Sequence, residues 1–282
     1  MRKIAVIVSS LALAVTLGAC GGETSGNASA ASGTPAPGQP NPGGGDALAD
    51  TSALASAVDK QANGKQSVHA EVKAEPVGVS GKGQLRFGSN PGMAMTMNTP
   101  EGEQQMVMVA DGVYTTANEA MRQQGVTTKW VKFARGGEDP GSKLFTALAD
   151  LMVESSDVTK QVEKAKASGR IIKTAKEQID GQPTTRYTIE ADVAKLVENE
   201  KNALAKLGMQ LMLNQGVKTL PFDFWLNNEN LPVQVVNETP AIAGQPAIKT
   251  TAKYSNWGAP VQITVPPANE VGDPPKVQMP PR

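Results

Sequence analysis

One histidine and one cysteine in 282 residues leave little material for side-chain catalysis. A Ser-His-Asp or Cys-His arrangement needs an imidazole beside its nucleophile. His69 is the only imidazole, and it falls on the polar side of an alternating segment. A zinc site built from His and Cys lacks ligands altogether. Asp and Glu are common enough for a carboxylate pair, yet no close pair stands out. Gly78, Gly81 and Gly83 have the wrong spacing for a dinucleotide loop and precede a strand. The 27 Lys and Arg balance 27 Asp and Glu, which gives no electrostatic case for nucleic acid. A single cysteine forms no disulfide within a monomer. Aromatic residues make up only 4% of the chain, so the interior falls to Val, Leu, Ile, Ala and the 11 methionines, whose side chains pack adaptably. The expectation is a protein that is not an enzyme and carries no cofactor.

The long apolar run is at the start. Arg2 and Lys3 precede Ile4 to Leu17, a stretch shorter than the ~20 residues a bilayer span needs, and two small residues follow. That layout is a secretory signal. Leu17-Gly18-Ala19-Cys20 resembles the lipobox of bacterial lipoproteins, in which the cysteine takes a diacylglyceryl thioether and becomes the new N-terminus. The alternative is an ordinary signal cut at Ala-x-Ala with Cys20 incidental, but a lone exported cysteine beside Gly-Gly has no disulfide partner. Residues 1–19 are therefore expected to be removed and Cys20 lipidated, with the body held at the outer face of the cell membrane. From Gly21 to Gly45 the only charge is Glu23 and no large apolar side chain occurs, so residues 20–45 read as a tether. Its ~25 residues have a coil reach of about 25–30 Å.

Residues 46–267 read as one domain. Leu54, Val58 and Ala62 share a helix face after Asp50, with Asn63-Gly64 as the stop. Alternation then predicts strands at Ser67–Glu75, around Leu85 and Phe87, at Met93–Met97, at Met106–Val109, at Val113–Thr116 after the hairpin signal Asp111-Gly112, and at Trp130–Phe133. Helices are expected from Pro140 and from Asp157 to Ala167. After strands at Arg170–Ile179 and Thr184–Glu190, Asp192 is expected to cap one long helix, Val193–Leu213. Its set Leu196, Leu204, Leu207 and Leu211 shares a face suited to a sheet. Strands containing Phe222 and Phe224, Val233 and Val235, Ala247–Tyr254 and Val261–Val265 complete the meander. Residues 268–282 are Pro-rich and expected to be disordered. The class is α+β, a curved antiparallel half-barrel sheet with helices packed over the concave face.

Met93, Met95 and Met97 fall on one face of a strand, and Met106 and Met108 can face the same space. Such thioethers fill a core by default. They also line cavities for alkyl chains, or bind Cu(I). A copper site at Met93, Met95 and Met97 would rely on methionine alone, so of the two ligand-binding uses the apolar cavity is favoured. Tyr254 to Val261, around Trp257, reads as a packing anchor at a corner of the sheet.

The order of pieces resembles the LppX/LprG-type lipoproteins of actinobacteria, whose fold is like the carriers LolA and LolB. The pieces are Val109-Ala110-Asp111-Gly112-Val113-Tyr114, Trp130-Val131-Lys132, the Pro140–Leu151 helix, Ile179 to Tyr187, Ala191-Asp192-Val193, Phe222-Asp223-Phe224-Trp225-Leu226, Leu231-Pro232-Val233 and the Tyr254–Pro267 ending. The resemblance implies no catalytic residues. It implies an apolar cavity holding a lipid or glycolipid for carriage between envelope layers, with a membrane transporter as a further partner. Candidates to line that cavity are Leu85, Phe87, Met93, Met95, Met97, Met106 and Met108 from the early strands. The helices offer Leu144, Leu148, Leu204, Leu207 and Leu211, and the late strands Phe222, Phe224 and Val233. A Met-rich copper-binding lipoprotein and a surface sensor or scaffold with a filled core are the alternatives.

Overall fold

The computed structural model describes residues 47–138, 140–242 and 244–275. Cys20, the signal and the tether lie outside them. The chain opens with α1 (Thr51–Lys65), where the Asp50 carboxylate accepts from Ala53 N at 2.8 Å and satisfies an orphan helix donor. The helix runs past Asn63-Gly64 and stops at Gln66, which takes a left-handed conformation at φ 62°. Six strands follow as a meander: β1 (Ser67–Glu75), β2 (Val79–Arg86), β3 (Gly92–Thr99), β4 (Gly102–Val109), β5 (Gly112–Thr116) and β6 (Trp130–Ala134), with the short α2 (Glu119–Gln123) before the last. The β4–β5 turn is Ala110-Asp111, and Gly112 is already paired. A Cβ on Gly112 would lie 2.6 Å from the Phe133 carbonyl oxygen, so the hairpin signal reports a close strand approach.

Helices α3 (Pro140–Ser156) and α4 (Val158–Ser168) lead to a second meander: β7 (Gly169–Ile179), β8 (Gln182–Asp192), β9 (Thr219–Asn227), β10 (Pro232–Thr239) and β11 (Ile248–Ser255). With a short last strand, β12 (Val271–Gly272), the β1–β11 pairing joins the two meanders into one sheet of order β12-β6-β5-β4-β3-β2-β1-β11-β10-β9-β8-β7. The fold is α+β, an open curved sheet, antiparallel except at β12, with the helices gathered on one face.

Three expectations are corrected. The long helix from Val193 is two helices, α5 (Val193–Asn199) and α6 (Ala203–Asn214). Glu200 breaks it by taking an extended conformation, and the Asn202 side chain caps a new helix by accepting from Leu204 N and Ala205 N. Val261–Val265 is not a strand of the meander. Residues 256–267 cross the outer sheet face, held by Ser67 Oγ donating to Ala259 O and by Gln262 N donating to Gln84 Oε1. Residues 268–272 are ordered: a 3-10 turn leads to β12 (Val271–Gly272), which pairs in parallel with Trp130 and Val131 of β6.

The main core lies between the inner sheet face and α1, α3 and α4. It contains Leu54 and Val58, Val158 and Val162, Ile189, Phe224 and Leu226, all essentially unexposed. Burying a side chain such as Phe224 contributes about 1.5–3 kcal/mol. Trp257 is the expected anchor: it packs against the core edge beside Phe87 and Tyr254 and donates from Nε1 to Pro232 O at 2.9 Å. On the outer face Arg186 makes a bidentate pair with Asp223 and lies over the Trp225 ring, fixing the β8–β9 register.

Candidate functional site

The methionine strands belong to the filled part of the inner face. Met93, Met95, Met97, Met106 and Met108 are all buried in the main core, as is Leu85, the cross-strand partner of Met93. Gly83 and Gly81 of β2 stand opposite Met95 and Met97. A Cβ on Gly83 would lie 2.4 Å from Met95 Cγ, so the methionine lies directly over the bare β2 backbone. Two glycines and two long thioethers fit one another there, which is a packing use of methionine. Phe87 is half-buried beside Trp257, and Phe224 lies in the core.

Val233 departs from the expected face. A bulge between Pro232 and Gln234 breaks the alternation of β10. Val233 therefore packs on the outer face with Trp225 and Val236, while Val235 enters the core. The α6 leucines depart as well. On one continuous helix Leu204, Leu207 and Leu211 would share a face with Leu196. The break at Glu200 resets the helical phase, so Met209, Met212 and Leu213 pack inward against Ala191, Val193, Leu196 and Leu220. Leu207 and Leu211 are 55% and 49% exposed, and Leu204 is half-exposed. On α3, Leu144 is exposed and Leu148 half-buried.

The open space lies at the other end of the inner face. A mainly apolar cavity of about 190 Å³ sits between the helices and β9–β10. Its apolar wall is Ala165, Leu196, Met209, Leu220 and Phe222; Glu154, Ser155, Gln161, Lys164 and Asn237 complete it. Phe222 is the one expected residue among them. Gln161 and Asn237 each carry a buried carbonyl oxygen without a hydrogen-bond partner. Buried polar atoms are normally paired, so these two oxygens are the least satisfied groups of the residues that wall the chamber.

A second, open and charged cleft of about 470 Å³ lies along α3, α4 and α5. Its lining includes Asp150, Asp157, Lys160, Glu163 and Lys201, and also Glu154 and Lys164, which line the cavity. Lys164 Nζ sits 3.1 Å from Glu154 Oε1 and 2.6 Å from Glu200 Oε2. Two members of this ion-paired trio, Glu154 and Lys164, thus stand between the apolar chamber and the charge-lined cleft. Burial works to raise the Glu200 carboxyl, but the Lys164 ammonium and the Asn202 N–H outweigh it and hold the group below its ordinary range. Burial works to lower the Lys164 ammonium, and the two carboxylates outweigh that and hold it above its usual value.

Sequence reasoning missed most of this wall because its residues are ordinary: a Gln, an Asn, an Ala and a Lys–Glu pair on separate elements. The readable signals were Leu196, in the first turn of α5, and Leu220, at the start of β9. His69 stands on the outer face, half-buried, and its Nε2 is a buried atom without a partner. It borders a polar groove with Gln84, Thr96, Gln105 and Gln262. Among the described residues no group of three or more His, Cys, Asp or Glu could hold a metal ion, and no helix is long and apolar enough to cross a membrane.

No family model matches the chain. It is 26% identical over 204 residues to an uncharacterized 31.2 kDa protein of Streptomyces griseus encoded between rplA and rplJ, a match that covers 70% of this chain and 65% of that relative's length. Among solved structures it is similar to LprF from Mycobacterium bovis, at 15% identity over 76% of this chain and 96% of that one, with a TM-score of 0.45. It is also similar to the Mycobacterium tuberculosis lipoprotein LppX, at 15% identity over 76% of this chain and 99% of that one, with a TM-score of 0.44. LppX, named in the resemblance drawn from the element order, is one of these two solved structures.

Proposed function

We propose that this chain is an envelope lipoprotein, anchored through Cys20, whose body binds an amphiphile: a lipid or glycolipid with its apolar part in the chamber and its polar part in the adjoining cleft. The observation that carries the reading is the shared wall. An apolar chamber and a charged cleft are both bounded by Glu154 and Lys164, so one molecule with an apolar end and a polar end can occupy both. The two unpaired oxygens of Gln161 and Asn237 suit hydroxyl or amide hydrogens near the junction of such a molecule.

Size sets a bound on the cargo. An apolar cavity of about 150 Å³ accepts benzene, so 190 Å³ takes one stretch of acyl chain and not several whole chains. A longer chain enters when α6 moves outward. That helix has no buried residue and rests mainly on α5, with a lesser contact to α3. Each buried CH₂ then contributes about 0.8 kcal/mol, which is the driving force for carriage without covalent chemistry. Carriage between envelope layers follows if the loaded body exchanges cargo with a second membrane or with a transporter.

The test is native mass spectrometry of the full chain purified from membranes of its producing cells. Wild type carries a bound amphiphile. Ala165→Met, which extends a buried side chain into the chamber, loses it. A wild-type protein that is empty under the same conditions overturns the reading.

A further inference from the structure

The outer surface of α6 is a poor surface for water. Turning around the helix, Met209, Met212 and Leu213 face inward, and Leu204, Leu207 and Leu211 recur at i, i+3 and i+7 on the opposite side. Polar residues are confined to one narrow line, Lys206, Gln210 and Asn214, at i, i+4 and i+8. A surface helix of a water-facing body keeps one apolar stripe and a polar remainder. This one is apolar on two opposite sides. Its neighbour α3 adds Leu144, which is 40% exposed, and the half-buried Leu148. The two helices touch where Asn202 Nδ2 donates to Ala147 O. Five large hydrophobic side chains are exposed among the described residues, and three of them, Leu144, Leu207 and Leu211, lie on this pair of helices. The exposure is concentrated, which marks an interaction surface.

Charge and position say what the surface meets. From Lys201 to Lys218 the chain has three lysines, Lys201, Lys206 and Lys218, and no acidic residue. None of the three makes an ion pair with a carboxylate, whereas nearby Asp150 and Glu154 are each paired. An apolar face on a segment whose only charges are lysines without ion pairs fits the boundary between headgroups and acyl chains of an anionic bilayer. Met209 of the same helix lines the apolar chamber, so the helix that presents leucines outward also walls the cargo site inward.

We infer that α6, with the adjoining edge of α3, is a membrane-docking helix that seats the body on an anionic lipid surface and opens the chamber toward it. This rests on the amphiphile reading and adds the surface from which cargo enters. Docking buries Leu207 and Leu211 among acyl chains, and withdrawal of α6 into the bilayer removes Met209 from the chamber wall.

The experiment places the full lipid-anchored protein in vesicles of phosphatidylglycerol and phosphatidylcholine carrying brominated acyl chains. Leu211→Trp reports contact with the chains, and Lys176→Trp on β7 serves as a control on a distant exposed strand. The expected result is a blue shift and loss of the added indole emission for Leu211→Trp, reduced by high salt, with neither effect for Lys176→Trp. An indole at position 211 that stays solvent-like overturns the docking surface. So does a dimer, seen by sedimentation, that Leu207→Ser with Leu211→Ser converts to monomer, because the face then belongs to a second copy. Failure of the amphiphile reading is distinct: it appears as an empty wild-type protein in native mass spectra, whatever the indole reports.

Discussion

Lys164 Nζ on α4 donates to Glu200 Oε2 at 2.6 Å, which ties α4 to the three-residue break between α5 and α6. Glu200 Oε1 in turn accepts from Asn202 N at 2.8 Å, and Asn202 caps α6. One buried carboxylate therefore sets both where α6 begins and how it is held against the chamber.

That arrangement gives the body a definite pH dependence. The folded Glu200 carboxyl is held below its ordinary 4.5, so its contribution is fully present above that value and is lost as pH falls through the lowered folded value. Lys164 is held above its ordinary 10.5, so its contribution is present below that value and lost as pH rises through the raised one. Thermal melts across pH should show this pair intact between those limits. Glu200→Gln should lower stability by about 1–3 kcal/mol at neutral pH, discounted from a fully buried pair because Lys164 is a third exposed and retains Glu154. It should also flatten the acid limb. An unchanged acid limb in Glu200→Gln would remove the pair from the account.

The glycine–methionine fit of β2 and β3 predicts an ordered pair of losses. Gly83→Ala places a Cβ 2.4 Å from Met95 Cγ and 2.5 Å from the Ala94 carbonyl, and the carbonyl cannot step aside. Gly81→Ala meets its neighbours only at 3.3 Å. Denaturant melts should show Gly83→Ala as the larger loss, at or above the usual overpacking range of about 1–3 kcal/mol, and Gly81→Ala as the smaller. Met95→Trp should overpack the same place, lowering stability while leaving bound amphiphile unchanged, because the chamber is elsewhere. Lipid lost from Met95→Trp without loss of stability would return the methionines to a ligand site.

The anchor is tested by itself. Cys20→Ser should release the protein from the membrane fraction or leave the signal uncut, since a diacylglyceryl group with a further acyl chain gives stable membrane attachment. Normal processing with retention in the membrane would end the lipobox reading.

Period-2 alternation made the strands legible because each side of this sheet has a fixed environment. Met93, Met95 and Met97 read as inward, and they are buried. Legibility failed wherever one residue changed the count. A bulge after Pro232 moved Val233 to the outer face, and the extended Glu200 turned Leu207 and Leu211 from expected liners into exposed side chains. The break at Glu200 carries no Gly or Pro to mark it, and Pro232 at the bulge marks the start of a strand equally well. Glu200 is extended because a lysine from a helix some thirty-six positions earlier reaches it, and periodicity holds no record of that contact. The chamber was hidden for the same reason: its walls converge from six separate elements.

The small β12 strand has a consequence for how copies of the chain can meet. A sheet has two edges, and Val271 and Gly272 occupy one of them beside Trp130 and Val131. The opposite edge, β7, is open and carries Arg170, Lys173 and Lys176. β12 is only two residues long and blunts that edge, whereas β7 offers eleven residues, so strand-to-strand association favours β7 meeting the β7 of a second copy. Losing β12 would bare the five residues of β6 as a longer edge, and association could then run on from both sides of the sheet.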